Sequence, residues 1–154
     1  NVLVSDASGN ARWANPTKYT SSSALNGASF LTSSVGTTFT KLADLVIFTK
    51  DFGQTNIEVD LSTMANISGF SGAAGCVYEL RIDDLTTTTG SSRYIAQSST
   101  GEWINIRTVF TGLAVGSHIV SLYVRSYTSG TVNFPATALD SGGWGGRCLV
   151  KEIF

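Results

Sequence analysis

"SHIVSLYVRSY", residues 117–127, alternates from one end to the other. His118, Val120, Leu122 and Val124 fall on one face of an extended chain, and Ile119, Ser121, Tyr123, Arg125 and Tyr127 on the other. Successive side chains of a strand point to opposite faces, so this period of two reads as a β-strand with one face on a core. The second face is not that of a strand open to water. Its tyrosines and arginine suit a half-buried contact surface. "WINIRTVF" (103–110) repeats the pattern, with Ile104, Ile106, Thr108 and Phe110 one way and Trp103, Asn105, Arg107 and Val109 the other.

Outward from these two segments, strands are expected near 39–48, 55–61, 75–83, 92–97, 130–137 and 147–154. Clusters of Gly, Ser, Thr and Asn separate them ("KDFGQ", "SGFSGAAG", "TTTTGS", "GLAVG", "DSGGWGG"), and such clusters make turns. "STMANIS" (62–68) is expected to form one short helical turn, and residues 15–38 read as irregular. Eight strands at this spacing predict an all-β chain folded as a β-sandwich. The long early irregular stretch favours Greek-key crossovers over a meander. The last segment, "RCLVKEIF", runs to the final residue and is expected to be tied into a sheet, beside an interface or at the base of the sandwich.

A chain of 154 residues suits one domain with a core of its own. Only 14% of residues are charged, so the surface rests on Ser, Thr, Asn and Gly, as in many extracellular and virion β proteins. A net charge of -1 without a basic cluster argues against nucleic acid or an anionic membrane as the main partner. No apolar run has the length of a membrane span. The absence of a signal-peptide pattern and of an initiator Met reads as a fragment or a processed product. Cys76 and Cys148 lie in apolar runs without a CxxC partner, which speaks against zinc. Two buried free thiols are expected, a disulfide clamping two strands being the alternative.

The opening stretch, "VLVSDASGNARW" (2–13), is a strand, a tight polar turn and an aromatic, too short to stand alone. It resembles a motif of phage tail-fibre and bacterial fibre or adhesin proteins, typically VLTSDASGNATW, that links a trimeric shaft to a terminal domain. Val2, Leu3, Ser5, Asp6, Ser8, Gly9, Asn10 and Trp13 match, whereas Arg12 replaces a small residue. "FTGLAVGSHIVSLYVRS" (110–126) is similar to the late-strand segment of jelly-roll domains of the tumour necrosis factor and complement globular-head group. Phage head fibres, tail needles and receptor-binding proteins use such domains as trimeric knobs. The resemblance implies an eight-stranded jelly-roll knob over 17–154 and a stalk-junction hairpin over 1–16, three copies of which meet at the foot of a homotrimer. It further implies a virion location on a tail fibre or capsid, contacts with other virion proteins through the stalk, and a host-surface glycan or protein receptor.

The residues offer little chemistry. The one histidine, His118, would have to serve any Ser–His–Asp triad, and a strand-edge residue bonding a loop backbone is the simpler reading. Neither GxSxG nor HExxH occurs. Among the acids, Asp83 and Asp84 are neighbours at a strand end and read as turn residues, with a calcium site as the rival. Asp51 and Glu102 are further candidates. Glu58 and Asp60 share a face, and a cross-strand charge pair with Glu79 and Arg81 is expected. "NIS" (66–68) is a glycosylation sequon without meaning in a bacterial cytoplasm. No catalytic set, cofactor or metal is therefore expected. In "DSGGWGG" (140–146), glycines flank Trp144, which with Asp140 and Ser141 is the candidate receptor contact, a structural plug being its rival. Trp103, Tyr123, Tyr127 and Phe154 are the candidate trimer interface. The reading is a non-enzymatic fibre or decoration knob, with a carbohydrate-binding module of a secreted enzyme as the alternative.

Overall fold

A computed structural model describes residues 1–5, 8–14, 17–24, 34–67, 69–70, 75–85, 92–96, 101–127, 130–133 and 146–154. Within them the chain is all-β, without a helix. The strands are β1 (Val2–Ser5), β2 (Ala11–Ala14), β3 (Thr17–Ala24), β4 (Ser34–Val35), β5 (Thr40–Lys50), β6 (Asn56–Ala65) and β7 (Gly69–Phe70), followed by β8 (Gly75–Ile82), β9 (Ser92–Ala96), β10 (Glu102–Phe110), β11 (Gly116–Ser126), β12 (Val132–Asn133) and β13 (Arg147–Ile153).

The long strands form two antiparallel four-stranded sheets, a first in the order β10-β6-β13-β3 and a second in the order β5-β11-β8-β9. Their pairings nest. β8 pairs with β9, β6 with β10, β5 with β11 and β3 with β13, so the first four long strands meet the last four in reverse order. Successive nested pairs alternate between the two sheets. Pairings of β13 with β6 and of β11 with β8 complete each sheet. A small sheet, β4-β12-β7, lies beside the C-terminal end of β11, where the Ser126 N–H donates to the Gly36 carbonyl at 2.7 Å.

Both sheets contribute to a single core. Leu42 and Phe48 of β5, Tyr78 and Leu80 of β8 and Leu122 and Val124 of β11 join Ile57, Val59 and Leu61 of β6, Ile104 and Ile106 of β10 and Val150 of β13. Each fully buried Leu or Ile side chain contributes roughly 1.5–3 kcal/mol of transfer free energy. The alternation read in β10 is the one observed: Ile104, Ile106, Thr108 and Phe110 are buried, while Trp103, Asn105, Arg107 and Val109 are exposed. In β11, Val120, Leu122 and Val124 are buried as expected, and His118 is only half-buried.

Two expectations are corrected. Residues 62–65 form no helical turn. They continue β6 opposite β10, from Ser62↔Asn105 to Ala65↔Glu102, with Thr63 and Ala65 buried and Ser62 and Met64 half-buried. The period of two persists there, written in small and polar residues. The stretch 15–38 holds β3, whose "TKYTSSSA" has no apolar alternation. It is an edge strand, fixed by its ladder to β13 rather than by its own pattern. Of the strand expected at 130–137, residues 132–133 form β12, and 134–137 lie outside the described residues.

The N-terminal hairpin pairs β1 with β2 and sets Leu3 opposite Trp13, which are 60% and 70% exposed. Gly9 turns it with φ of +83°, a conformation that favours glycine. The Arg12 guanidinium lies 4.6 Å from the centre of the Phe52 ring, in the turn between β5 and β6. This turn, the end of β13 and the start of β11 mark one end of the molecule, here the base. The small sheet, the start of β13 and the end of β11 mark the far end.

Candidate functional site

Of the expected receptor contacts, Trp144, Asp140 and Ser141 lie outside the described residues. The described chain stops at Asn133, which pairs with Ser34 and Gly69 of the small sheet, and resumes at Gly146, next to Arg147 in register with Ser62. Both flanks of 134–145 are thus at the far end, opposite the hairpin.

The four expected interface residues do not share one face. Trp103, 45% exposed, stands on the outer face of the first sheet near the far end. Tyr123 and Tyr127 belong to the outer face of the second sheet, Tyr127 continuing the ladder through its N–H to the Gly75 carbonyl at 3.0 Å. Phe154 is at the base, its ring 5.6 Å from that of Phe52.

The outer face of the second sheet is tiled with rings and charges. The Arg81 guanidinium stacks 3.9 Å from the Tyr123 ring centre and 5.5 Å from that of Phe39, and Arg125 lies 5.3 Å from the same Phe39 centre. Arg81 Nε donates to Glu79 Oε1 at 2.6 Å, and Ser92 Oγ donates to Glu79 Oε2 at 2.8 Å. Lys41 Nζ meets Asp44 at 2.6 Å and Asp84 at 2.7 Å, and Ser121 Oγ donates to Asp44 at 2.7 Å. The hydrogen bond from Lys41 holds the Asp84 carboxyl below the ordinary range. Burial pushes the Tyr123 hydroxyl upward, helped by the neighbouring Asp84 charge.

On the first sheet the centre of the outer face is Glu58. Lys151 Nζ donates to it at 2.9 Å, and Arg107 donates from Nε at 3.0 Å and Nη2 at 2.7 Å. The Lys151 bond, more than offsetting the cost of burial, lowers the Glu58 pKa together with Arg107. A cross-strand charge cluster is present, as read, but with other partners. Glu79 and Arg81 are in the second sheet and pair along their own strand, so they cannot face Glu58 and Asp60. Nothing in the sequence reveals which strand lies beside which, and this misassigned the pair.

At the base, His118 bonds a loop backbone as expected, its Nε2 lying 2.9 Å from the Ala114 carbonyl. Gly112, with φ of +72°, lets the 111–115 loop turn back to it. His118 Nδ1 is 2.6 Å from Asp83 Oδ2, and the ring stacks on Phe48 at 5.5 Å. Asp83 and Asp84 are turn residues, as read. Both have positive φ (53° and 61°), the pair that a type I′ turn requires, and the Leu85 N–H closes the turn on the Ile82 carbonyl at 3.1 Å. Asp83 also accepts the Ile119 N–H at 3.0 Å.

A second base cluster was not foreseen. Lys50 and Glu152 are both fully buried. Glu152 accepts the Phe52 N–H at 2.8 Å, the Asp51 N–H at 3.1 Å and the Thr55 hydroxyl, while Lys50 Nζ donates to the Phe52 carbonyl. Burial lowers the Lys50 pKa, and the Glu152 charge opposes that shift. The signal available in sequence was the inward parity of both residues on their strands.

The acids considered for catalysis are thus spread over both sheets and both ends, with Asp51 beside the base turn and Glu102 at the far-end start of β10. Among the described residues, no group of three or more His, Cys, Asp or Glu side chains is placed to hold a metal ion. Cys76 and Cys148 are buried and free. Burial pushes their thiols up to about 11 and about 12. No protein-family model matches the chain, and no curated protein matches it in sequence.

Proposed function

We propose that the chain is a non-enzymatic, trimeric jelly-roll knob of a virion fibre or decoration protein that attaches to a host-surface glycan or protein receptor at its far end. The nested pairing of the eight long strands, alternating between two sheets, carries the fold part of this reading. A chain folded as one long hairpin and rolled up has this strand order, with β8 and β9 at its tip. The placement of the hairpin supports the rest. Residues 1–16 resemble a stalk junction, β1 and β2 lie at the base, and the flanks of the Trp144 segment lie at the opposite end.

A three-fold ring needs two different patches on each subunit, since its contacts are heterologous. Trp103 on one outer face and Tyr123 with Tyr127 on the other suit such a contact better than a two-fold one. Sedimentation velocity at micromolar concentration is expected to give a trimer that Tyr123→Glu disrupts. A monomer would overturn this reading in favour of a carbohydrate-binding module. Trp144→Ala is expected to reduce attachment to host cells while leaving thermal melting unchanged. Lost stability with intact attachment would make Trp144 a packing residue.

A further inference from the structure

The cations of the sheets are not all treated alike, and on the hairpin at the base Arg12 rests on the Phe52 ring with no carboxylate at ion-pair distance among the described residues. Lys41, Arg81, Arg107 and Lys151 each meet a carboxylate on a strand of the sheets. Arg125, Arg93 and Arg147 do not: among the described residues no carboxylate lies within ion-pair distance of any of them. All three belong to the far half. Arg125 is two residues short of the end of the β11 ladder, Arg93 is opposite Tyr78 near the start of β8, and Arg147 opens β13. Arg125 is the best placed to take a ligand. Of its five N–H groups, one is used among the described residues, by Nη1 on the Ser126 carbonyl at 3.1 Å. Phe39 flanks it, and Tyr127, 53% exposed, follows two residues on, just past the end of β11.

We infer that this corner is a binding site for an anionic saccharide, one bearing carboxylate or phosphate groups. The inference rests on the far end being the receptor-binding end. The guanidinium offers a planar fork that matches either group through paired N–H donors, which an ammonium does not. The exposed Tyr127, two residues on, offers apolar ring surface for the sugar. Arg93 and Arg147 are exposed and outnumber Glu102, the carboxylate at the start of β10, so among the described residues this end has the excess of positive charge that draws an anionic chain. A neutral glycan would leave the Arg125 fork with water alone.

The test uses the whole chain and three probes: an oligogalacturonate, its carboxyl-reduced neutral counterpart, and a phosphomannan. Calorimetric titration is expected to show binding of at least one acidic probe and none of the neutral one, weakening as sodium chloride is raised. The acidic probe that binds identifies the group recognised. Arg125→Ala is expected to weaken binding about tenfold or more, and Arg125→Lys to restore only part of it. Arg107→Ala, on the outer face of the first sheet, is expected to bind as the parent does. Equal affinity for the reduced and acidic saccharides, or Arg125→Ala binding like the parent, would overturn the site. Host-cell attachment separates this failure from that of the broader reading. Attachment that survives Arg125→Ala but falls with Trp144→Ala leaves a receptor-binding knob with a different site, whereas a parent chain that neither attaches nor binds any probe refutes both.

Discussion

The base and the far end of this molecule differ in the charge they bury. At the base, the buried polar groups are met inside the chain, and the exposed Arg12 rests on the Phe52 ring. Glu152 and Lys50 are buried and together bind three donors and a carbonyl of the 51–55 turn, and His118 ties Asp83 to the 111–115 loop. At the far end, Arg125 and Arg147 are left without a described carboxylate, and Tyr127 and Trp103 stay in solvent. Buried charge without a partner is costly, so the base groups have to be satisfied for the fold to close there. Arginine that keeps contact with water costs little and is ready to be desolvated by a ligand. The contrast separates residues that hold the sandwich from residues that it displays.

The sharpest way to break the comparison is at Glu152. Glu152→Ala removes the acceptor of two backbone N–H groups and the Thr55 hydroxyl and strands the Lys50 ammonium in the interior. A loss of about 3–5 kcal/mol in urea unfolding is expected. A loss below about 1 kcal/mol would mean that water reaches this site, as it does at exposed ion pairs. His118→Ala should cost less, about 1–2 kcal/mol, because Asp83 and the Ala114 carbonyl can turn to solvent. Its amide exchange should rise in the 111–115 loop and not in the small sheet, which separates a local clamp from a general loosening.

Glu58 sharpens the comparison through pH. Its folded-state pKa is held below the ordinary 4.5 by Lys151 and Arg107. The stabilisation from its ionised form is complete above 4.5 and is lost as pH falls through the lower folded value. Glu58→Gln should flatten the fall in melting temperature over that acidic window and change little at neutral pH beyond the loss of the pair. The smallest effect is expected at the far end. Arg125→Ala should shift stability by no more than about 0.5 kcal/mol, since among the described residues it meets the Phe39 ring and one carbonyl. A loss several times larger would make Arg125 part of the scaffold and erase the distinction between the ends.

Most of the strands were legible in the residues. Strict alternation located β10 and β11, and apolar runs between glycine clusters located β5, β8 and β13, because a strand with one face on a core must write its period into its own sequence. β3 was not legible, since an edge strand of Thr and Ser is set by its neighbour's hydrogen bonds. The run after Leu61 was misread for a related reason: buried Thr63 and Ala65 keep the parity without a large apolar side chain to mark it. Of the candidate sites, the turn role of Asp83 and Asp84 and the backbone bond of His118 could be read locally. The partners of Glu58 could not, nor could the cluster of Lys50 and Glu152, whose members are far apart in the chain.

The sequence by itself determined that the chain is all-β, which faces of β10 and β11 are apolar, and that both cysteines belong to apolar runs. Those properties depend on neighbours within a few residues. Only the tertiary structure decided that β13 lies between β3 and β6 and β11 between β5 and β8, and hence which charges meet. Strand pairing is a choice among distant segments with similar apolar faces. The whole core makes that choice at once, and no single strand records it.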